Sequence, residues 1–279
     1  MASHPLTMVT IASPGRARHA AGRYGKLIGI PVDEGMTLVQ SAFGAETRRD
    51  HLKLVNSGLN SLTQFGVESF PQFDEGDLGK AVSAARDHGQ PVMVHANGHL
   101  PVKLAVDAGC DSIEHGFFMG KENMRRMADK GVVWVPTTVT MKAYGDYLKI
   151  QGSRSDPSFA EVSQKNLEHQ LEQISTARQL GVTLALGTDA GSPGVNHGRS
   201  VKEELQLFIS AGFNVEGAIR CASRNGALLM GFTDRGEIAP GMRADFMAVK
   251  ASPEQVPDAL HRIVYRVVEG RVIDLETNF

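Results

Sequence analysis

Residues 91–116 read PVMVHANGHLPVKLAVDAGCDSIEHG, and this stretch decides the fold. It opens on a continuous apolar run, Pro91 to Ala96, of the kind needed by a strand buried on both faces. Leu100 to Ala108 then spaces its apolar residues as a short helix does and stops at Gly109. A second run, Asp111 to Glu114, follows at once. Strand, crossover helix and strand in that order make two parallel strands of one sheet, each with a histidine, His95 or His115, at its carboxyl end.

The same cadence extends outward on both sides. Towards the carboxyl terminus it predicts a helix over Asn123 to Lys130, a strand over Val132 to Thr137, a helix over Glu161 to Leu180 and a strand over Val182 to Gly187. The polar excursion from Tyr144 to Asp156 reads as a lid. Towards the amino terminus, Asp74 to His88 is a helix with an acidic first turn and Gly89 as its stop. His51 to Val55 is a strand, and Lys26 to Ile30 is the first strand to be read, with a helix over Gly35 to Thr47. After Asp189 come a glycine-rich loop and helices around Val201 to Ala211 and Val215 to Leu229. The tail differs: Phe246 to Val249 and Ile263 to Ile273 alternate apolar and polar residues, with Glu269-Gly270 as a turn, so a small antiparallel piece stands beside the parallel sheet.

With 279 residues, 42% of them hydrophobic and 22% charged, the chain can bury a sizeable core as one barrel-sized domain with a small appendage. Its 29 Lys and Arg balance 31 Asp and Glu, and no basic run is interleaved with aromatics, so nucleic acid is not an expected partner. The two cysteines, Cys110 and Cys221, are too far apart for a CxxC site or a disulfide framework, which suits a reducing cytoplasm. No apolar stretch approaches the ~18 residues of a membrane span. The expected partner is a small-molecule substrate, and the expected location is the cytoplasm. Oligomeric state stays open, a homo-oligomer included.

Lys53, His95, His115 and Asp189 stand at or just beyond the ends of successive strands, where a parallel barrel gathers its chemistry. One strand-end histidine alone is more often a packed residue than a ligand; the recurrence changes that balance. Two imidazoles and a carboxylate suit zinc or another divalent ion with a coordination position open for water. Asp189, within Gly187-Thr188-Asp189-Ala190-Gly191, is placed to touch the metal and to take the water's proton, the competing reading being a helix cap. Lys53 is a charged side chain between apolar neighbours and needs a partner. His197 in the following loop is read as meeting substrate. Glu114, adjacent to His115, is assigned to the opposite face of its strand and to a structural ion pair.

These segments resemble the amidohydrolase superfamily, specifically its imidazolonepropionase-like and Xaa-Pro-dipeptidase-like branch. The resemblance is carried by HLKLVNSG (51–58), PVMVHANG (91–98), DSIEHG (111–116), VPTT (135–138), LGTDAG (186–191) and GEIAPGMRADFMAV (236–249). It implies a (β/α)8 barrel over residues 1–235 and strands of a side β-sandwich over 236–279. It further implies one or two divalent metal ions, zinc foremost, in an enzyme hydrolysing amide or other C–N bonds. Lys53 then looks like a carboxylated, metal-bridging lysine, His95 and His115 like metal ligands, Asp189 like the residue that activates water, and His197 like a loop histidine of this branch. Family members begin with sandwich strands and a His-x-His barrel strand. No His-x-His occurs here, His4 and His19 being isolated, and Met1 to Arg18 has no counterpart. The barrel is therefore expected to be incomplete at its first strands, by amino-terminal truncation. The alternatives are a catalytically impaired binding or assembly protein and a phosphotriester or lactone hydrolase on the same scaffold.

Overall fold

The computed structural model describes residues 10–44, 49–151 and 157–273. Six short strands, β1 (Ala17–Ala20), β2 (Gly29–Val32), β3 (Leu52–Val55), β4 (Val92–Ala96), β5 (Ser112–His115) and β6 (Val133–Val135), form a parallel sheet in the order β2-β1-β3-β4-β5-β6. Helices α1 (Leu38–Phe43), α2 (Glu75–Asp87), α3 (His99–Asp107) and α4 (Gly120–Lys130) make the crossovers, and α5 (Val139–Gln151), α6 (Pro157–Gln179) and α7 (Arg199–Ser210) follow β6. Beyond them come α8 (Val215–Arg220), a π turn over Cys221–Asn225 and α9 (Gly226–Leu229). A separate antiparallel sheet contains β7 (Phe246–Val249), β8 (Ile263–Val268) and β9 (Arg271–Ile273), with α10 (Val256–Ala259) between the first two. Among the described residues no helix is long and apolar enough to cross a membrane.

The register divides the sheet into two chemically different faces. Leu52 pairs with Val92, Leu54 with Val94, Val94 with Ile113, and Ile113 with Trp134. Side chains at one ladder level share a face, so these residues form the outer surface. Each is at most 1% exposed, packed with Leu78 and Val82 of α2, Val102 and Val106 of α3, Met124 and Met127 of α4, and Ile174 of α6. Burial of each such side chain contributes about 1.5–3 kcal/mol. The alternate positions, Lys53, Met93, His95, Ser112 and Glu114, turn to the inner face. The inner face is therefore where polar groups collect.

Local chemistry explains the boundaries. Asp74 caps α2 by accepting from the Asp77 amide at 2.8 Å, and α4 ends on Gly131 in the left-handed conformation. Asp107 of α3 accepts from Lys103, Arg126 and Lys130, a knot of cations that joins α3 to α4 and holds the Asp107 carboxyl down at about 2.

Four sequence expectations are revised. Ala17–Ala20, where no strand was expected, lies inside the sheet between β2 and β3. Its Arg18 is 3% exposed because Nε donates to the Ser41 carbonyl and Nη1 to the Arg16 carbonyl, both at 2.8 Å, so hydrogen bonds replace water around a charge that masks the strand pattern. The strand expected at Lys26 to Ile30 is displaced to Gly29–Val32. The excursion from Tyr144 is helical through Gln151, aided by a Lys142–Asp146 pair at 2.9 Å, while 152–156 lie outside the described residues. At Val182 to Gly187 only Leu184 bridges to Trp134, since the Leu186 amide turns away to the Cys221 carbonyl at 2.9 Å. The antiparallel tail forms as expected, with Glu269 and Gly270 both at positive φ in the β8–β9 turn.

Candidate active site

His95 stands on the inner face at the carboxyl end of β4. Its Nε2 donates to the Gly58 carbonyl at 3.0 Å, which leaves Nδ1 without a hydrogen bond among the described residues. His115 reaches the same place by a different route. Alternation along β5 would send it outward with Ile113, but its φ of 69° turns the chain, and the two imidazoles meet edge to face with centroids 4.6 Å apart. The His115 Nδ1 is 2.7 Å from Thr137 Oγ1, and Nε2 has no hydrogen-bond partner among the described residues. Burial drives both rings towards the neutral form: His115 falls to about 3, with the Lys53 charge adding to the effect, and His95 falls well below the ordinary histidine range, with His115 next in importance.

Lys53 lies one ladder level below His95 on the same face. Burial lowers its amine pKa more than the carboxylates of Glu114 and Asp189 raise it. No ion pair to Lys53 forms among the described residues. Ser112 Oγ donates to Glu114 Oε1 at 2.6 Å, and the His95–Glu114 register places Glu114 on the inner face. The assignment of Glu114 to the opposite face is thus corrected: Glu114 keeps the regular alternation and His115 departs from it.

Asp189 is exposed, has φ 52° and accepts from Ser192 Oγ at 2.9 Å. It acts electrostatically on Lys53, His95 and Tyr24, so it borders the same space. It caps no helix, since α7 begins only at Arg199. Tyr24, absent from the expected set, packs its ring 5.1 Å from that of His95, and its hydroxyl pKa is raised by burial and then by Asp189. His197 is exposed on the loop beyond, and among the described residues no hydrogen bond, ion pair or ring contact of its side chain brings it to the others. His19 is 3% exposed, and its ring fills the space that a Cβ at Gly25 would need, 2.7 Å away; its Nε2 has no hydrogen-bond partner among the described residues.

Of the five non-glycine residues at positive φ among the described residues, four, His115, Phe118, Thr137 and Asp189, lie at or just beyond the sheet's carboxyl edge. Such conformations cost free energy and cluster where geometry is imposed by function. Among the described residues no three His, Cys, Asp or Glu side chains gather around one point as a metal ion requires. The donors that do come together are two neutral imidazoles, each with one nitrogen uncommitted. That half of a metal site suits a divalent ion of the zinc class.

The model of the Amidohydrolase family matches residues 39–274. The ochratoxinase of Aspergillus niger is 26% identical over 227 residues, which cover 80% of this chain and 45% of that protein. The imidazolonepropionase of Ruegeria sp. (strain TM1040) is 28% identical over 209 residues, covering 72% and 44%. Among solved structures, a Xaa-Pro dipeptidase with methionine bound in its active site superposes with a TM-score of 0.69 at 30% identity, over 81% of this chain and 55% of that one. The chain spans about half the length of these relatives.

Proposed function

Since the chain belongs to the amidohydrolase family, we propose that it is a metal-dependent hydrolase of C–N bonds in a dipeptide, an N-acyl amino acid or a cyclic amide. The observation that carries this reading is the pair of neutral imidazoles, set edge to face, above a lysine of depressed pKa. The names of two relatives, a dipeptidase and an imidazolonepropionase, point to the same bond class.

In this reading His95 Nδ1 and His115 Nε2 hold the ion, with zinc the first choice among those that accept imidazole and carboxylate. When bound, the ion supplies Lewis acidity that polarises a carbonyl and makes water more acidic. Asp189 takes a proton from the attacking water and returns it to the leaving nitrogen, with Ser192 orienting one carboxylate oxygen. Lys53, reacting as its neutral amine, would add to carbon dioxide and release a proton to become a carbamate, which would provide a further anionic oxygen donor. His197 and Tyr24 contact substrate.

Elemental analysis of the purified chain tests this, comparing the parent with the double variant His95→Ala, His115→Ala. About one or two divalent ions per chain, lost in the variant, is the result expected of such a site. A parent without bound metal after growth in zinc-rich medium would sink the catalytic reading. It would favour the second one, a scaffold that binds without catalysis, which the ungathered third donor supports.

A further inference from the structure

The position of His115 depends on a backbone turn, and the structure shows what grips that turn. An extended His115 would place its imidazole on the helix-packed outer face with Ile113. Its φ of 69° brings it instead to His95. The carbonyl oxygen of this one residue receives two side-chain hydrogen bonds, from Trp134 Nε1 at 3.0 Å and from Gln170 Nε2 at 2.6 Å. Both donors are fully buried. The Gln170 amide also donates to the Pro136 carbonyl at 3.2 Å, and its oxygen accepts from Gln173 Nε2 at 2.8 Å. Gln173 in turn donates to the next carbonyl of the turn, that of Gly116, at 3.3 Å. The Gln170 side chain thus has its hydrogen-bonding groups satisfied, and its two donor hydrogens join the end of β5 to the end of β6.

We propose that Gln170 of α6 is a positioning residue: it holds the His115 backbone in the left-handed turn that aims the imidazole at His95, and so sets the affinity of the site for its metal. The inference rests on the reading of His95 and His115 as metal-holding residues. A glutamine on a long helix has no contact with the ion. It acts through the main chain of a residue that does, and fixing a donor's orientation beforehand is what separates a tight site from a loose one.

The test is a cobalt(II) titration of the full chain by calorimetry, on the parent, Gln170→Met and Ser163→Ala. Methionine matches the length of the glutamine and lacks its donors. Ser163 lies on the same helix, is 1% exposed and donates to the Met141 carbonyl at 2.7 Å, so its loss removes a buried hydrogen bond that does not reach His115. The expected result is a dissociation constant raised about 10–100-fold in Gln170→Met, with Ser163→Ala within roughly twofold of the parent despite a lowered melting temperature. Equal affinities in Gln170→Met and the parent would overturn the proposal, as would an equal loss in Ser163→Ala. If the parent takes up no cobalt, the hydrolase reading falls by itself, and metal-free NMR decides the positioning question. Cross-relaxation between the His95 and His115 ring protons, present in the parent and lost in Gln170→Met, supports it; its persistence in the variant, or its absence from the parent, overturns it. Should Gln170→Met fail to fold, Trp134→Phe removes the other donor from the same oxygen, and the same measurements apply.

Discussion

Glu204, a fully buried residue of α7, accepts from the backbone amides of Thr138 at 2.9 Å and Val139 at 2.6 Å, and so fixes the start of α5. Burial raises its pKa to about 7, against the opposing pull of those two amides. Between the usual glutamate value of 4.5 and about 7 the fold therefore holds a proton that the unfolded chain has lost, and stability falls as pH rises through that window. His115 acts in the opposite sense. Between about 3 and 6.5 the unfolded chain binds the extra proton, so stability rises with pH. Glu204→Gln is expected to remove the falling contribution, at most about 3 kcal/mol, and to leave a steeper rise from pH 4.5 to 6.5 in urea midpoints. Thr137→Val addresses the imidazole itself. Removing the hydroxyl 2.7 Å from His115 Nδ1 frees the ring, and chelator competition should show metal affinity reduced about 10–100-fold while stability changes by only about 1 kcal/mol.

Among the elements, the turn from β5 into α4 bears the most constraint. Gly116 has φ 63°, and a Cβ there would stand 2.5 Å from Met119 Cε and 2.7 Å from Trp134 Nε1. Gly116→Ala combines a left-handed backbone penalty with overpacking, and urea unfolding should show a loss of about 2–5 kcal/mol. The same turn shows how far sequence reasoning reaches. Lys53 and His95 were legible because a regular strand keeps its alternation and a polar residue in an apolar run stands out. Glu114 alone was read onto the wrong face, because a positive φ at a non-glycine residue, that of His115, leaves no mark in the residue pattern. Gln170 and Glu204 were missed for a related reason: helical periodicity marks which residues are apolar, and a buried glutamine or glutamate breaks the pattern without showing what it grips. Tyr24 and β1 escaped because Arg18, buried by the carbonyl groups of Arg16 and Ser41, interrupted the apolar pattern of a core strand.

At the scale of the molecule, the two faces of one sheet divide the work. The outer face, from Leu52 to Trp134, is apolar and supplies the free energy of folding, while the inner face carries Lys53, His95, Ser112 and Glu114 at a cost in desolvation. Trp134 connects the two, since its ring belongs to the outer core while its Nε1 donates to the His115 carbonyl. It is also the chain's only tryptophan. The protein therefore carries an intrinsic fluorophore one hydrogen bond from the residue on which the site turns. Excitation at the indole band should report on that residue with no label attached: emission from the native state blue-shifted by burial, and a stepwise quenching as cobalt is titrated in. The same signal in a stopped-flow instrument would time the arrival of the ion.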